Sequence, residues 1–131
     1  MNQKTVETIE TAETWVELSN QKNLEGLSKI TSDELELVGP KGAGVIDHQE
    51  LGKWMERANL QLATIERYAK DHYIILVQHG NWLNDDDSIK GQAIVYTVFK
   101  VIDRQVNFLA RYDNIEEAFK ISGLGDSDKI N

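Results

Sequence analysis

The chain has 131 residues, 40% hydrophobic and 27% charged, with 22 acidic against 14 basic side chains and a formal net charge of −8. That length and mixture suit one globular domain with its own core, and the acidic balance argues against non-specific binding to nucleic acid or to an anionic membrane. The absence of cysteine excludes disulfides, thiolate metal sites and cysteine nucleophiles, and no run of about 18 apolar residues exists to form a helical membrane span.

The first ten residues are polar and acidic, unlike a signal peptide, so a cytoplasmic location is expected. Residues 3–20 carry Val6, Ile9, Ala12, Trp15 and Val16 at helical spacing, which predicts an amphipathic helix with Trp15 as its largest anchor. A short second helix or turn is expected over 24–30. Thr31-Ser32-Asp33 reads as a turn, residues 35–38 as a short strand, and residues 39–44, with the only proline and three glycines, as a flexible loop. Asp47 stands three residues before Glu50, ahead of Leu51, Trp54, Met55 and Ala58. This is a capping-box arrangement, and it opens a helix over residues 48–57.

From Leu60 the period changes to two. Strands are expected over 60–68 and 73–83, with a turn between them and a polar hairpin tip over 84–88. Two long strands follow, 91–104 and 106–113, meeting at a tight turn near 103–105. The first is rich in β-branched and aromatic residues. Ala93, Val95, Thr97, Phe99 and Val101 make one of its faces; Ile94, Tyr96, Val98 and Ile102 make the other. Two apolar faces require cover on both sides. The chain's helices supply one cover, and a second copy of the protein, docked on Tyr96, Val98 and Ile102, is expected to supply the other. Residues 115–121 form one or two helical turns. The organisation is a single domain over residues 1–124 with a flexible tail over 125–131.

Early helices followed by a run of hairpin-linked strands argue for an α+β fold, with a curved antiparallel sheet packed on the N-terminal helices. Such a sheet curls into a cone and encloses a pocket, closed at its back by the first helix.

Several local words agree with that outline: a tryptophan-bearing first helix, a short strand with a Gly/Pro loop, and a helix of the type Leu51-x-x-Trp54-Met55. The last strand ends in Ala110-Arg111-Tyr112-Asp113, followed by Asn114-Ile115-Glu116-Glu117-Ala118-Phe119. Together they resemble the nuclear transport factor 2-like superfamily, in its SnoaL-like branch, over residues 3–124. The resemblance implies a cone-shaped α+β barrel of the cystatin-like type with a deep cavity, often dimeric through the outer sheet face. Its members include isomerases, polyketide cyclases, dehydratases, epoxide hydrolases and non-catalytic association domains, so the fold leaves the function open.

In SnoaL-like cyclases an aspartate ending the last strand acts as acid/base, and the resemblance carries that role to Asp113. Strand alternation places Arg111 and Asp113 on one side. Facing the cavity, they form a charged pair in which the arginine lowers the carboxyl pKa. The alternatives for Asp113 are a rim salt bridge and a cap on the helix from Ile115. His79 shares a face with Tyr73, Ile75 and Val77. Should that face line the cavity, His79 serves as a ligand hydrogen-bonder or as general base beside Asp113; otherwise it is an ordinary core or surface histidine.

Isomerase members use a tyrosine on the first helix, with aspartates on the first strand and a later strand. Trp15, Leu37 or Val38, and Thr97 stand near those places, which argues against ketosteroid isomerase chemistry. Trp15, Trp54, Met55, Thr97, Phe99 and Arg111 are the candidate ligand-binding residues. No paired-histidine metal spacing occurs, and Asp85-Asp86-Asp87 lacks the calcium-loop pattern. The glycines of 39–44 lack the phosphate-binding patterns, so neither metal nor cofactor is expected. The expected function is binding of a small apolar or weakly polar ligand. An isomerase-, cyclase- or dehydratase-type activity stays open beside it. The alternative is a non-catalytic dimeric binding or association module.

Overall fold

A computed structural model describes residues 1–39 and 42–130. The chain opens with α1 (Gln3–Asn20) and α2 (Leu24–Lys29), followed by the hairpin β1 (Thr31–Gly39) and β2 (Gly42–Ile46). Then come α3 (His48–Ala58) and four strands: β3 (Leu60–Lys70), β4 (Tyr73–Leu83), β5 (Ile89–Ile102) and β6 (Gln105–Tyr112). A last helix, α4 (Ile115–Ser122), precedes a short 3-10 turn at Asp126–Asp128.

The expected α1 forms at its expected bounds. Asn2 caps it, its Oδ1 accepting from the Thr5 amide at 2.8 Å. Half of its buried face is threonine: Thr5, Thr8 and Thr11 beside Ala12, Trp15 and Val16. These hydroxyls fasten the helix to the β3–β4 turn. Thr8 Oγ1 donates to the Asp71 carbonyl at 2.6 Å, and the Asp71 amide donates to Thr5 Oγ1 at 2.9 Å.

The sheet is six-stranded, curved and unclosed, in the order β2-β1-β6-β5-β4-β3. All neighbours are antiparallel except β1 and β6, which run parallel. The four later strands form the expected antiparallel run, and the parallel β1–β6 pair adds to it. Strand β1 leaves the helical layer and enters beside the last strand, where the Val106 amide donates to the Ile30 carbonyl at 2.8 Å. Thr31-Ser32-Asp33, expected as a turn, is the start of β1. Residues 42–44, expected as loop, are strand β2, and Pro40 and Lys41 lie outside the described residues. The β5–β6 turn is a two-residue one. Asp103 and Arg104 both have left-handed φ, 52° and 60°, as the hairpin twist demands.

The concave face holds the main core. Trp15, Leu27, Leu35, Leu51, Ile74, Leu76, Phe99 and Leu109 are all fully buried there, under α1 and α3. The convex face has its own apolar cluster. Ile75, Val98, Phe108 and Ala110 pack against Ala118, Phe119 and Leu124 from the C-terminal segment. The second face of β5 is therefore covered in its middle by the chain's own α4. Val98, expected at a dimer interface, is 0% exposed. The C-terminal residues expected as a tail reach back to β3: the Ile130 amide donates to the Arg67 carbonyl at 2.9 Å, and Lys129 forms a bridge with Tyr68. Among the described residues no helix is long and apolar enough to cross a membrane.

Candidate functional site

The site arises where β6 stops short. Pairing between β5 and β6 covers Tyr96 to Ile102, so Ala93–Val95 run on without a β6 partner. On the other side of β6, β1 continues to Gly39. The slot between these two ends opens onto the concave face. Helix α3 roofs it. Asp47 caps α3, its Oδ1 accepting from the Glu50 amide at 2.9 Å, and Leu51 and Met55 anchor the helix in the core. That anchoring turns Trp54 into the opening.

The resulting cavity has an inner volume of about 470 Å³, walled by Leu37, Trp54, Leu60, Trp82, Val95 and Leu109, with Arg111 among its lining residues. Leu37, Trp54 and Trp82 also line a wider vestibule of about 950 Å³, so the two adjoin. The β1–β2 hairpin, Arg57 and Lys90 border that vestibule.

A chain of polar groups, fully buried at its centre, crosses the floor. Arg111 Nε donates to Thr97 Oγ1 at 3.2 Å, and Thr97 Oγ1 donates to Gln78 Oε1 at 2.8 Å. Gln78 Nε2 in turn donates to Thr64 Oγ1 at 3.2 Å. Thr97 faces Arg111 in the β5–β6 register, and Gln78 faces Thr64 in the β3–β4 register. Thr97 and Gln78 are both 0% exposed, so each needs its partners. The Arg111 guanidinium also lies 5.6 Å from the Trp54 ring centre, a cation–π approach.

Among the described residues no carboxylate pairs with Arg111; the ion pairs are Arg67–Glu13, Arg104–Glu7, Arg104–Glu10 and Lys129–Glu66. Burial pushes the Arg111 pKa down to about 10. It thus stays a cation at neutral pH, held in place by Thr97 and Trp54 rather than by a counter-charge.

The other expected residues are placed as follows. Asp113 is exposed, at the cavity edge, and accepts from Asn114 Nδ2 at 3.1 Å. The expected Arg111–Asp113 pair is not made, because the chain leaves the sheet at Tyr112 and the alternation ends with it. Asn114, not Asp113, caps α4, accepting from the Glu117 amide at 2.9 Å. His79 lies on the convex face, since its set includes Ile75 and Val77 of the outer cluster. His79 and Asp113 are not hydrogen-bonded to each other among the described residues, and His79 is not a lining residue of the cavity. Trp15 and Phe99 meet edge-to-face at 5.4 Å in the sealed core, and Trp15 Nε1 donates to Thr31 Oγ1 at 3.0 Å. They support the floor without lining the cavity. Met55 borders only a gap of about 10 Å³ that it shares with Arg111 and Trp54. Thr97 sits under Arg111 and positions it.

Trp82, Leu60 and Gln78 were absent from the expected set. Gln78 had a signal in the sequence, as a lone amide in the otherwise apolar series Ile74, Leu76. The remaining histidines are structural: His48 Nε2 donates to the Thr31 carbonyl at 3.0 Å, and His72 Nδ1 to the Val101 carbonyl at 2.9 Å. No group of three or more metal-ligating side chains occurs among the described residues.

No family model matches the chain, and no curated protein matches it in sequence. Solved structures do match in shape. An NTF2-like protein of unknown function from Cytophaga hutchinsonii superposes with a TM-score of 0.69 at 12% identity, over 86% of this chain and 94% of that one. An LEH-like epoxide hydrolase of Mycobacterium tuberculosis gives 0.65 at 15% identity, over 90% of each chain. A second M. tuberculosis protein, crystallised with estradiol-17β-hemisuccinate, gives 0.71 at 14% identity, over 84% and 95%. The chain has the nuclear transport factor 2-like α+β fold.

Proposed function

We propose that this nuclear transport factor 2-like chain, of the SnoaL-like type, is a small-molecule-binding domain whose ligand enters between α3 and the open end of the sheet. The observation that carries the reading is the apolar cavity with Arg111 at its floor, oriented by Thr97 and Gln78. Its volume falls in the roughly 300–1,000 Å³ range of ligand pockets, and its make-up follows the same pattern of apolar walls with few fixed polar groups. A protein of like shape that holds a steroid ester in its crystal supports the reading by analogy of fold.

Binding does not require turnover. For any isomerase- or dehydratase-type step, Asp113 is the carboxylate at the cavity edge and would accept the proton, with Arg111 as the donor to developing negative charge. A thermal-shift screen of small aromatic acids and ketones tests the reading. A binder should raise the melting temperature of the wild type and lose most of that effect in Trp54→Ala. A screen in which no compound stabilises the wild type would remove the reading's support.

The alternative, a non-catalytic dimeric association module, draws on the convex face. Ile94 and Ile102 remain 39% and 38% exposed there, outside the cover of α4. Sedimentation at micromolar concentration separates the cases. A dimer that dissociates in Ile94→Asp supports association through this face, and a monomeric wild type rules it out.

A further inference from the structure

We propose that the cavity's ligand is an amphipathic carboxylate, bound head-first, with its carboxylate on the terminal N–H groups of Arg111 and its apolar body between Trp54 and Trp82. This rests on the ligand-pocket reading above and specifies the ligand class.

Three observations carry it. The first is the donor inventory. A guanidinium has five N–H donors in a planar fork. In Arg111 the Nε–H is committed to Thr97 Oγ1, and no other hydrogen bond from its side chain occurs among the described residues. The two terminal nitrogens make no hydrogen bond among the described residues, Arg111 lines the cavity, and the end-on edge of a guanidinium can take a carboxylate by two parallel bonds.

The second is the way the residue is held. The register puts Arg111 opposite Thr97, and the polar chain behind it runs on through Gln78 to Thr64. Every link in that chain donates away from Arg111's partner side, so the chain fixes the fork without neutralising it. A half-buried cation beside apolar walls, with no carboxylate partner among the described residues, carries a desolvation cost that an anionic ligand relieves.

The third is polarity along the cavity. The inner walls are Leu37, Leu60, Trp82, Val95 and Leu109, and the one acidic side chain of the inner lining is Asp113, exposed at the edge. The vestibule adds Arg57 and Lys90, which also neighbour Glu56, Asp85 and Asp86, so the mouth is mixed in charge while the floor is cationic. An acid group at the floor and an apolar body toward the mouth match this gradient; the reverse orientation strands the carboxylate among tryptophans.

The test uses two acids, 2-naphthoate and decanoate, each compared with its own methyl ester by titration calorimetry. On the wild type each acid should bind at least 10-fold more tightly than its ester. In Arg111→Met the acids should weaken 10-fold or more while the esters hold their affinity or gain. Arg111→Lys, which keeps the charge but not the fork, should fall between. Equal binding of acid and ester to the wild type would overturn the carboxylate assignment and leave the pocket reading standing. Failure of all four compounds to bind would overturn both. The wild-type comparison decides the matter even where Arg111→Met does not fold.

Discussion

The Arg111 side chain is held by a fully buried residue, Thr97. Thr97 uses one oxygen twice, accepting from Arg111 Nε and donating to Gln78 Oε1. Thr97→Val keeps the shape and removes both bonds. It leaves the Gln78 oxygen buried without a donor, a loss on the order of 1–3 kcal/mol. We expect a lower urea midpoint with an unchanged slope, and weaker binding of 2-naphthoate with little change for its ester. A variant with wild-type stability and wild-type acid preference would show that Thr97 does not position Arg111. The sequence exposed part of this arrangement. Alternation grouped Leu109 with Arg111, and Val95, Thr97 and Phe99 together, and both sets do face inward. It could not say which set of β4 faced inward, because both are apolar. His79 belongs to the set with Ile75 and Val77, which faces outward. The deciding residue was Gln78, whose amide has buried partners only on the concave side.

At the scale of elements, α3 matters most, because it carries Trp54 over the cavity. Its start was legible from Asp47 and Glu50, yet only half of the box is made: Asp47 accepts from the Glu50 amide at 2.9 Å. Asp47→Ala should cost about 1 kcal/mol, the usual value of such a cap, read as a drop in melting temperature. Because the first turn of α3 frays while Leu51 and Met55 stay anchored, ligand affinity should fall by less than stability does. The β1–β2 hairpin was the element hardest to read. Gly42, Ala43 and Gly44 have low strand propensity, and they are strand here because β1 offers a paired edge from Leu35 to Gly39. Tertiary pairing decided what composition concealed. At the end of the domain Leu124 is only 8% exposed, in one cluster with Tyr68 and Phe119.

For the whole molecule, the cone was legible from element order, whereas the parallel β1–β6 contact that sets the cavity's width was not, since no local signal reports pairing across more than seventy residues. The same architecture fixes the pH behaviour. Burial lowers the Arg111 pKa from its ordinary value to about 10. Below that value the folded state holds the half-buried cation at some cost. Above about 10 the unfolded chain retains the proton longer than the folded one, so this group's contribution to stability improves as pH rises until the unfolded chain also loses it. Ligand binding responds with the opposite sign, because a carboxylate needs the cation present.

The other charged groups around Arg111 are Lys22 at the small gap beside it, Arg57 and Lys90 at the mouth, and Asp113 at the edge. Tyr112 also borders the cavity, its phenol held above the usual range by burial and, secondarily, by the Glu117 charge. None of the three histidines lines the cavity. Binding of 2-naphthoate should therefore be flat from about pH 6 to 9 at fixed ionic strength. It should weaken below about pH 4, where a carboxyl takes up its proton, and again above about pH 10 as Arg111 loses its charge. Calorimetric titration across that range checks the profile. An inflection near pH 6.5 would put a histidine in the binding equilibrium, which requires His79 to reach the concave side and is incompatible with the sheet described here.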